Sequence, residues 1–225
     1  MVFEFKRYEC KFMVTSEQAS ELRSRIAPRM SWDSYCKDGK PYRIYNIYYD
    51  TPNRDVLRRS VAGPYFKEKL RLRRYDGSCC FLEIKRKVGK IVLKRRVALD
   101  DKLKTEFLDT GKLPDTQIGR ELSYYIRTTG VQPYIYLAYD RIAYSGIEDP
   151  TLRITFDTNI RERHNNLDID IDTGNTPVIP EGYELLEIKT SSSIPLWLTR
   201  ELSSLKIYRR SFSKAGTVFI KEKQA

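Results

Sequence analysis

Charged and apolar side chains alternate through most of the strand-like segments of this chain. The clearest run puts Lys69, Arg71 and Arg73 on one side and Leu70 and Leu72 on the other. Successive side chains of a β-strand point to opposite faces, so this pattern predicts strands with one apolar and one charged face. The same pattern recurs in six or seven segments, which favours a large sheet with two chemically different sides.

Strand and helix signals cover the whole length of 225 residues. We predict strands over about 3–12, 42–50, 65–75, 78–87, 90–99, 133–144, 151–158 and 182–190. We predict helices over about 16–27, 100–109, 117–129 and 195–205. The hairpin signal Asp76-Gly77 makes the sheet mainly antiparallel. The expected fold is α+β, with a single domain over 1–225 and a barrel or large curved sheet whose apolar outside is covered by the helices.

Basic residues dominate the charged faces of these strands. The net charge of +11 suits an anionic partner, and the position of the charges narrows the choice. Against only Glu9, Glu83, Asp157 and Glu187, the charged faces carry eleven basic residues: Arg7, Lys11, Lys69, Arg71, Arg73, Lys85, Lys94, Arg96, Arg141, Arg153 and Lys189.

A single strand of this kind is equally typical of an ordinary sheet with one solvated face. Across many neighbouring strands, however, like charges repel and destabilise the sheet. A polyanion would offset that repulsion, because Arg binds phosphate oxygens in pairs and Lys acts as a compact charge. We therefore expect an enclosed basic cavity for a linear phosphate chain, such as a nucleoside triphosphate or polyphosphate.

The acidic residues have two interpretations. They neutralise neighbouring Arg and Lys, or Glu187 with Glu9 or Glu83 holds a divalent cation that also contacts phosphate oxygens. Mg²⁺ and Mn²⁺ prefer oxygen ligands, and Mg²⁺ usually needs only one or two carboxylates in addition to phosphates.

Several kinds of site and location are disfavoured by composition. The chain has one histidine, His164, which disfavours a His-based zinc site or a hydrolytic triad. The four cysteines lack zinc-site spacing and are interpreted as reduced thiols of a cytoplasmic protein. We see neither a signal peptide nor an apolar stretch long enough to span a membrane.

An ordered series of motifs resembles the VTC domain, the polyphosphate polymerase branch of the triphosphate tunnel metalloenzymes. The motifs extend over nearly the whole chain. They are Arg7-Tyr8-Glu9-Cys10-Lys11, Tyr48-Tyr49-Asp50-Thr51-Pro52, Lys69-Leu70-Arg71-Leu72-Arg73, Phe81-Leu82-Glu83-Ile84-Lys85-Arg86-Lys87, Lys94-Arg95-Arg96, Tyr139-Asp140-Arg141-Ile142-Ala143-Tyr144, Arg153-Ile154-Thr155-Phe156-Asp157, Leu186-Glu187-Ile188-Lys189 and Ser213-Lys214.

This resemblance implies a closed eight-stranded antiparallel β-barrel that transfers phosphate from ATP to polyphosphate with Mn²⁺ or Mg²⁺. It implies phosphate binding by Lys11, Arg71, Arg73, Lys85, Lys94, Arg141, Arg153 and Lys214, with Glu187 as metal ligand. We predict Lys69, Arg96 and Lys189 as further phosphate contacts, and Arg71, Arg73, Lys85 and Arg141 as the catalytic residues.

The chain departs from the family pattern in two respects. The superfamily signature Glu-x-Glu-x-Lys begins here with Arg7, which argues against two metal-binding carboxylates in the first strand. Compared with the eukaryotic synthases, the chain resembles a compact bacterial-type form without a regulatory domain or membrane segments.

Two other functions stay open. The same cation cage would serve a triphosphate or tripolyphosphate hydrolase, with water as the attacking group. A non-catalytic binder of polyphosphate or RNA is the third possibility, in which tyrosines such as Tyr8, Tyr45, Tyr75 and Tyr139 stack on bases. Nucleic acid is not our first choice, because packing is the commoner role of such tyrosines.

Overall fold

The computed structural model describes residues 8–63, 65–89 and 91–224. The strands are β1 (Tyr8–Thr15), β2 (Met30–Trp32), β3 (Tyr42–Asp50), β4 (Phe66–Tyr75), β5 (Cys80–Val88), β6 (Ile91–Leu99), β7 (Gln132–Gly146), β8 (Arg153–Arg163), β9 (Thr176–Pro177) and β10 (Tyr183–Thr190). The α-helices are α1 (Ser16–Ile26), α2 (Asp55–Ala62), α3 (Asp101–Thr110), α4 (Gln117–Thr129), α5 (Leu196–Ser204) and α6 (Lys214–Gln224).

Eight of the strands form one hydrogen-bonded path in the order β1-β10-β8-β7-β3-β4-β5-β6, and the short β2 and β9 pair beside it. All these pairings are antiparallel, which confirms the predicted strand-rich α+β class. Across the described ranges no ladder joins the edge strands β1 and β6, so the predicted closure of the barrel is not confirmed. The start of the predicted first strand, with Arg7, lies outside the described residues, and so does Lys90, where a later predicted strand begins.

The sheet is nevertheless strongly curved. Lys85 of β5 lies 3.5 Å from the carboxylate of Glu9 on β1, although these strands are near opposite ends of the hydrogen-bonded path. Side chains can meet in this way only if the sheet curls toward the face that carries them. We call this the inner face.

The four predicted helices form, and each starts within two residues of its predicted position. A capping box opens α1, where the Thr15 hydroxyl accepts from the Gln18 N–H at 3.2 Å and the Gln18 side chain accepts from the Thr15 N–H at 3.0 Å. Asp100 and Thr116 cap α3 and α4 through side-chain oxygens that accept from the N–H groups of Leu103 and Gly119. Of the helices in the described residues, none is long and apolar enough to cross a membrane.

These helices cover the apolar outer face of the sheet, as the alternation predicts. α3 and α4 bury Phe107, Leu122 and Tyr125 against outward side chains of β3 to β7. α1 and α5 bury Leu22 and Leu198 against β1, β8 and β10. At about 25 cal/mol per Å² of apolar surface, this burial is the main favourable contribution to the fold.

Two further helices, α2 and α6, were not predicted. Asp50 ends β3 and caps α2, because its two carboxylate oxygens accept from the backbone N–H groups of Val56 at 2.9 Å and Leu57 at 3.0 Å. α6 packs against α2 and enters the inner side of the sheet, where Val218 and Phe219 join the inward-facing Ile135 and Leu185. One end of the inner face is therefore apolar and filled by α6.

Candidate functional site

The predicted basic residues converge on the inner face. Directly opposed residues of neighbouring strands share a face, and Lys69 opposes Lys85, which in turn opposes Lys94. The cations on this face are Lys11, Lys69, Arg71, Arg73, Lys85, Lys94, Arg96, Arg141, Arg153 and Lys189, joined by Lys214 from the start of α6. The carboxylates on the same face are Glu9, Glu83, Asp157 and Glu187. Positive charge is in clear excess there.

Glu83 balances two of these cations. Its buried carboxylate lies 2.8 Å from an Arg71 guanidinium nitrogen and 2.6 Å from the Lys94 ammonium. Burial opposes the ionisation of Glu83, but Arg71, Arg73 and Lys94 hold its pKa far below the usual range. Glu83 therefore holds a fixed negative charge that orients Arg71.

Asp157 performs the same role for Arg141 and Lys214. Arg141 donates two hydrogen bonds to its carboxylate, at 2.6 and 2.8 Å, and Lys214 approaches at 2.5 Å. Despite complete burial, the two cations lower the pKa of Asp157. Lys214 also lies 4.4 Å from the ring centre of Tyr139, so the start of α6 is fixed inside the site.

Arg73 is buried without a carboxylate partner. Its guanidinium donates to the Asn46 side-chain oxygen at 2.8 Å, to the Tyr139 hydroxyl at 3.1 Å and to the Tyr75 hydroxyl at 3.4 Å. These neutral partners fix its position, and among the described residues no carboxylate forms a direct ion pair with it. An anion in the cavity would gain most from such a cation.

Lys69 and Tyr48 show the effect of this excess charge. Burial, opposed by Tyr48 and assisted by Lys11 and Lys85, lowers the pKa of Lys69 to about 8. Burial raises the pKa of Tyr48, but Arg71, Arg73 and Lys69 outweigh it and lower the value to about 7. Lys69 donates a hydrogen bond only to a neutral group, the Ser213 hydroxyl at 3.3 Å.

Glu187 and Glu9 are the carboxylates best suited to a metal. Burial opposes the negative charge of Glu187, but Lys189 and Lys11 hold the pKa of this carboxyl well below its usual range. Burial and Glu187 raise the pKa of Glu9, yet Lys85 and Lys11 bring it to about 2. Both side chains are therefore ionised at neutral pH.

Thr155 lies opposite Glu187 on the inner face and is 3% exposed. Its hydroxyl has no hydrogen-bond partner among the described residues, which is costly for a buried polar group unless a ligand or water supplies one. Two carboxylates and a free hydroxyl fit a hard cation that also takes phosphate oxygens as ligands. In the described part of the chain, no three His, Cys, Asp or Glu side chains are grouped for a metal held by protein alone.

The remaining predicted residues occupy the edges of this arrangement. Glu83, predicted from the sequence as a possible metal ligand, forms ion pairs with Arg71 and Lys94, just as Glu9 and Glu187 form ion pairs with lysines. Arg153 pairs with Asp33 at 2.8 Å, and Arg96 lies 4.5 Å from the ring centre of Phe81. Both arginines are more exposed than those of the interior.

Several polar residues of the site were missed as functional residues. Tyr48, Asn46 and Asp33 contact the cations directly. Asp157 was noted only as a member of the charged faces, and Thr155 only as part of a motif. The alternation of Tyr42, Ile44, Asn46 and Tyr48 in β3 was an available signal, but their apolar and aromatic neighbours suggested ordinary packing.

The histidine lies apart from these contacts, whereas Cys36 belongs to the loop that carries Asp33. All four cysteines are free thiols. His164 contacts Glu162 and Glu222, which lies on α6, and its ring packs on Tyr134. These contacts tie the end of α6 to the sheet, as expected for a structural histidine.

Comparison with known proteins places the chain in a family. No curated protein sequence matches it. A solved structure from Bacillus halodurans, a candidate adenylate cyclase, superposes with a TM-score of 0.60 at 13% identity, over 93% of this chain and 95% of that one. A second candidate adenylate cyclase, from Vibrio parahaemolyticus, superposes with a TM-score of 0.52 at 12% identity, over 96% of this chain and 98% of that one. At such low identity these similarities show a shared fold alone. The sequence profile of the VTC domain matches residues 6–217, which confirms the resemblance seen in the motifs, and the chain therefore belongs to the VTC domain family.

Proposed function

We propose that this protein is a polyphosphate polymerase-like phosphotransferase that moves the terminal phosphate of ATP onto a polyphosphate chain. In this proposal the phosphates lie along the inner face, which the sheet encloses as a tunnel within a single domain over 1–225. The curvature that brings Lys85 to Glu9 supports the closure.

One observation carries the proposal: Arg73 and Lys69 lie on the inner face without a direct ion pair to any carboxylate of the described residues. Arg73 is 6% exposed and has only neutral partners, and Lys69 is held by a hydroxyl. Keeping such charges out of water is costly unless an anion joins them. A chain of phosphates supplies several negative charges in a row, whereas a single carboxylate supplies one.

The residues have distinct roles in this proposal. Phosphoryl transfer needs mainly positioned phosphates and stabilisation of charge spread over their oxygens. Arg71, Arg73, Lys85 and Arg141 would contact the phosphate being transferred. The other phosphates would be bound by Lys11, Lys69, Lys94, Arg96, Arg153, Lys189 and Lys214.

A divalent cation, Mn²⁺ or Mg²⁺, belongs to the proposal. Glu187 and Glu9 would hold it, with the Thr155 hydroxyl beside them. When bound, the cation would neutralise charge that develops on the phosphate oxygens. The acceptor is the terminal phosphate of the growing chain, so no Ser, Cys or His nucleophile is needed. The free thiols are consistent with a cytoplasmic location.

The experiment is incubation of the purified protein with ATP and Mn²⁺ or Mg²⁺, followed by separation of long phosphate polymers from orthophosphate. We expect polymer, with ADP formed in step. Orthophosphate without polymer would instead identify a triphosphate hydrolase. Binding without turnover would leave a phosphate-chain binder, and salt-sensitive RNA binding far tighter than triphosphate binding would refute the phosphate assignment.

A further inference from the structure

An aromatic stack lies at the end of the inner face that α6 does not fill. Tyr42 and Tyr75 point to this face, because Tyr42 opposes Arg141 and Tyr75 follows Arg73 by two positions. Tyr35, from the loop before β3, lies over both, with its ring centre 5.4 Å from each. The Tyr35 and Tyr75 rings are nearly parallel, at 23°, yet the Tyr35 side chain is 52% exposed. A large aromatic face is thus presented to solvent.

The loop that carries Tyr35 is rigidly held. One carboxylate oxygen of Asp33 accepts from the backbone N–H groups of Tyr35 at 3.0 Å and Cys36 at 3.2 Å. The other accepts from Arg153 at 2.8 Å and from the Tyr42 hydroxyl at 3.4 Å. Cys36 is buried, and its sulfur accepts from the Ala143 N–H at 3.1 Å. The ring is therefore already ordered before any ligand binds, which lowers the entropic cost of stacking on it.

The stack is continuous with the phosphate-binding cations. The Tyr75 hydroxyl accepts from Arg73, whose other contacts lie deep in the interior. Phe81 packs edge-on against Tyr75 and carries Arg96 over its ring. A ligand whose phosphates reach Arg73 would have its other end beside Tyr35.

A bare phosphate chain cannot stack on an exposed aromatic face, because the phosphate chain has neither an apolar nor a π surface. A nucleobase has both, and its stacking on an aromatic side chain tolerates any base. We propose that Tyr35, supported by Tyr75, is a nucleobase platform, so that the inner face prefers nucleoside triphosphates to inorganic tripolyphosphate. This inference rests on the proposed function, since it requires the phosphates to lie on the inner cations.

The platform also predicts the pattern of base preference. Asp33 already accepts four hydrogen bonds, so its carboxylate is poorly available to read the edge of a base. The area of the stacked rings then determines the relative affinity for each base, and purines offer a larger area than pyrimidines. We expect ATP and GTP to bind about equally, CTP and UTP more weakly, and tripolyphosphate most weakly.

The test is metal-free titration calorimetry of the full chain with ATP and with tripolyphosphate. Tyr35→Ala should weaken ATP binding by about 5- to 100-fold, the range expected for one stacked base, and should leave tripolyphosphate binding within about twofold. Tyr35→Phe keeps the ring and should bind ATP like the parent protein. The matched control is Tyr124→Ala, because Tyr124 is 62% exposed and also lies beside an arginine, Arg127, but on the outer helix α4.

The possible results distinguish a failure of this inference from a failure of the proposed function. If the parent protein binds neither compound, the phosphate-binding proposal fails, and the platform fails with it. If ATP and tripolyphosphate bind equally and Tyr35→Ala changes neither, the platform is refuted while the phosphate site stands. Equal weakening of both compounds by Tyr35→Ala would assign Tyr35 to the structure of the loop and would also refute the platform.

Discussion

At the scale of single residues, Arg71 and Arg95 make a matched pair on opposite faces of the sheet. Arg71 is oriented by Glu83 on the inner face, whereas Arg95 pairs with Glu121 of α4 on the outer face at 2.5 Å. Both are partly buried arginines with a carboxylate partner. They differ in whether they face the proposed phosphates.

Arg71→Ala should lower the turnover of ATP-dependent polyphosphate synthesis by about 10²–10³, the usual cost of one lost contact to developing charge. Arg71→Lys should give an intermediate rate, because it keeps the charge but loses the paired contact. Arg95→Ala should leave turnover nearly unchanged. Initial rates measured on variants checked for folding by circular dichroism decide this, and near-normal synthesis by Arg71→Ala would contradict its role.

The pH dependence of binding follows from Lys69 and Tyr48. As the pH rises through about 7 and then about 8, Tyr48 gains a negative charge and Lys69 loses its positive charge. Both changes disfavour an anion, so tripolyphosphate affinity should fall between pH 6.5 and 9, at most about tenfold per pH unit for each proton bound. Calorimetric titrations across this range measure it.

Substitutions of Tyr48 and Lys69 test which group causes each part of this pH dependence. Tyr48→Phe should remove the component near pH 7, and Lys69→Met should remove the component near pH 8 while weakening binding at low pH. An affinity that stays level from pH 6.5 to 9 in the unmodified protein would rule out a role for either group.

Substitution of Thr155 allows a role in function to be distinguished from a role in stability. Thr155→Val keeps the side-chain shape and removes a buried hydroxyl that has no partner, so the free protein should be unchanged or about 1 kcal/mol more stable. Metal-dependent turnover should nevertheless fall about tenfold, because the hydroxyl lies beside Glu187. Urea unfolding and initial rates are the two measurements, and an active, more stable variant would make Thr155 purely structural.

At the scale of elements, α6 packs its apolar residues on the inner side of the sheet together with inward-facing strand residues, and Leu57 of α2 joins the same cluster. The first turn of α6 brings Lys214 to Asp157, and the segment before it brings the Phe212 carbonyl to Lys11 at 3.3 Å. The helix thus fills one end of the inner face and also contributes to the site.

Phe219→Ala should cost about 3–5 kcal/mol of unfolding free energy, because it removes a buried ring from the α6 contact. Ile220→Ala, on the exposed side of the same helix, should cost under about 1 kcal/mol. Hydrogen exchange should show the α6 amides of Phe219→Ala opening before those of the sheet. Equal effects of the two substitutions would mean that α6 is not seated inside the sheet.

At the scale of the whole molecule, the concentrated positive charge makes stability depend on anions. Tripolyphosphate at a hundred times its dissociation constant should stabilise the protein by about 2.7 kcal/mol and raise the melting temperature by about 5–10 °C. Arg73→Ala should reduce this shift, whereas Arg95→Ala should preserve it. Thermal melts without metal measure this, and a shift equalled by orthophosphate at the same concentration would argue against a site for a phosphate chain.

How much the sequence predicts depends on how local the signal is. The alternation of Lys69 to Arg73 identified both faces of β4, because side-chain direction in a strand follows from backbone geometry alone. The cap of α1 is equally local, because Thr15 and Gln18 are three positions apart. The α6 segment contains Gly216, Thr217 and Val218, which are weak helix formers, and its burial inside the sheet is what favours the helix.

The amino-acid sequence by itself determined that many strands carry one apolar and one basic face, and its ordered motifs indicated the family. Only the tertiary structure decided which cations are neutralised, since Asp157 meets Lys214 across 57 positions of the chain while Arg73 meets only neutral groups. The reason is physical: alternation is fixed within one strand, whereas charge pairing depends on the register and curvature of the assembled sheet.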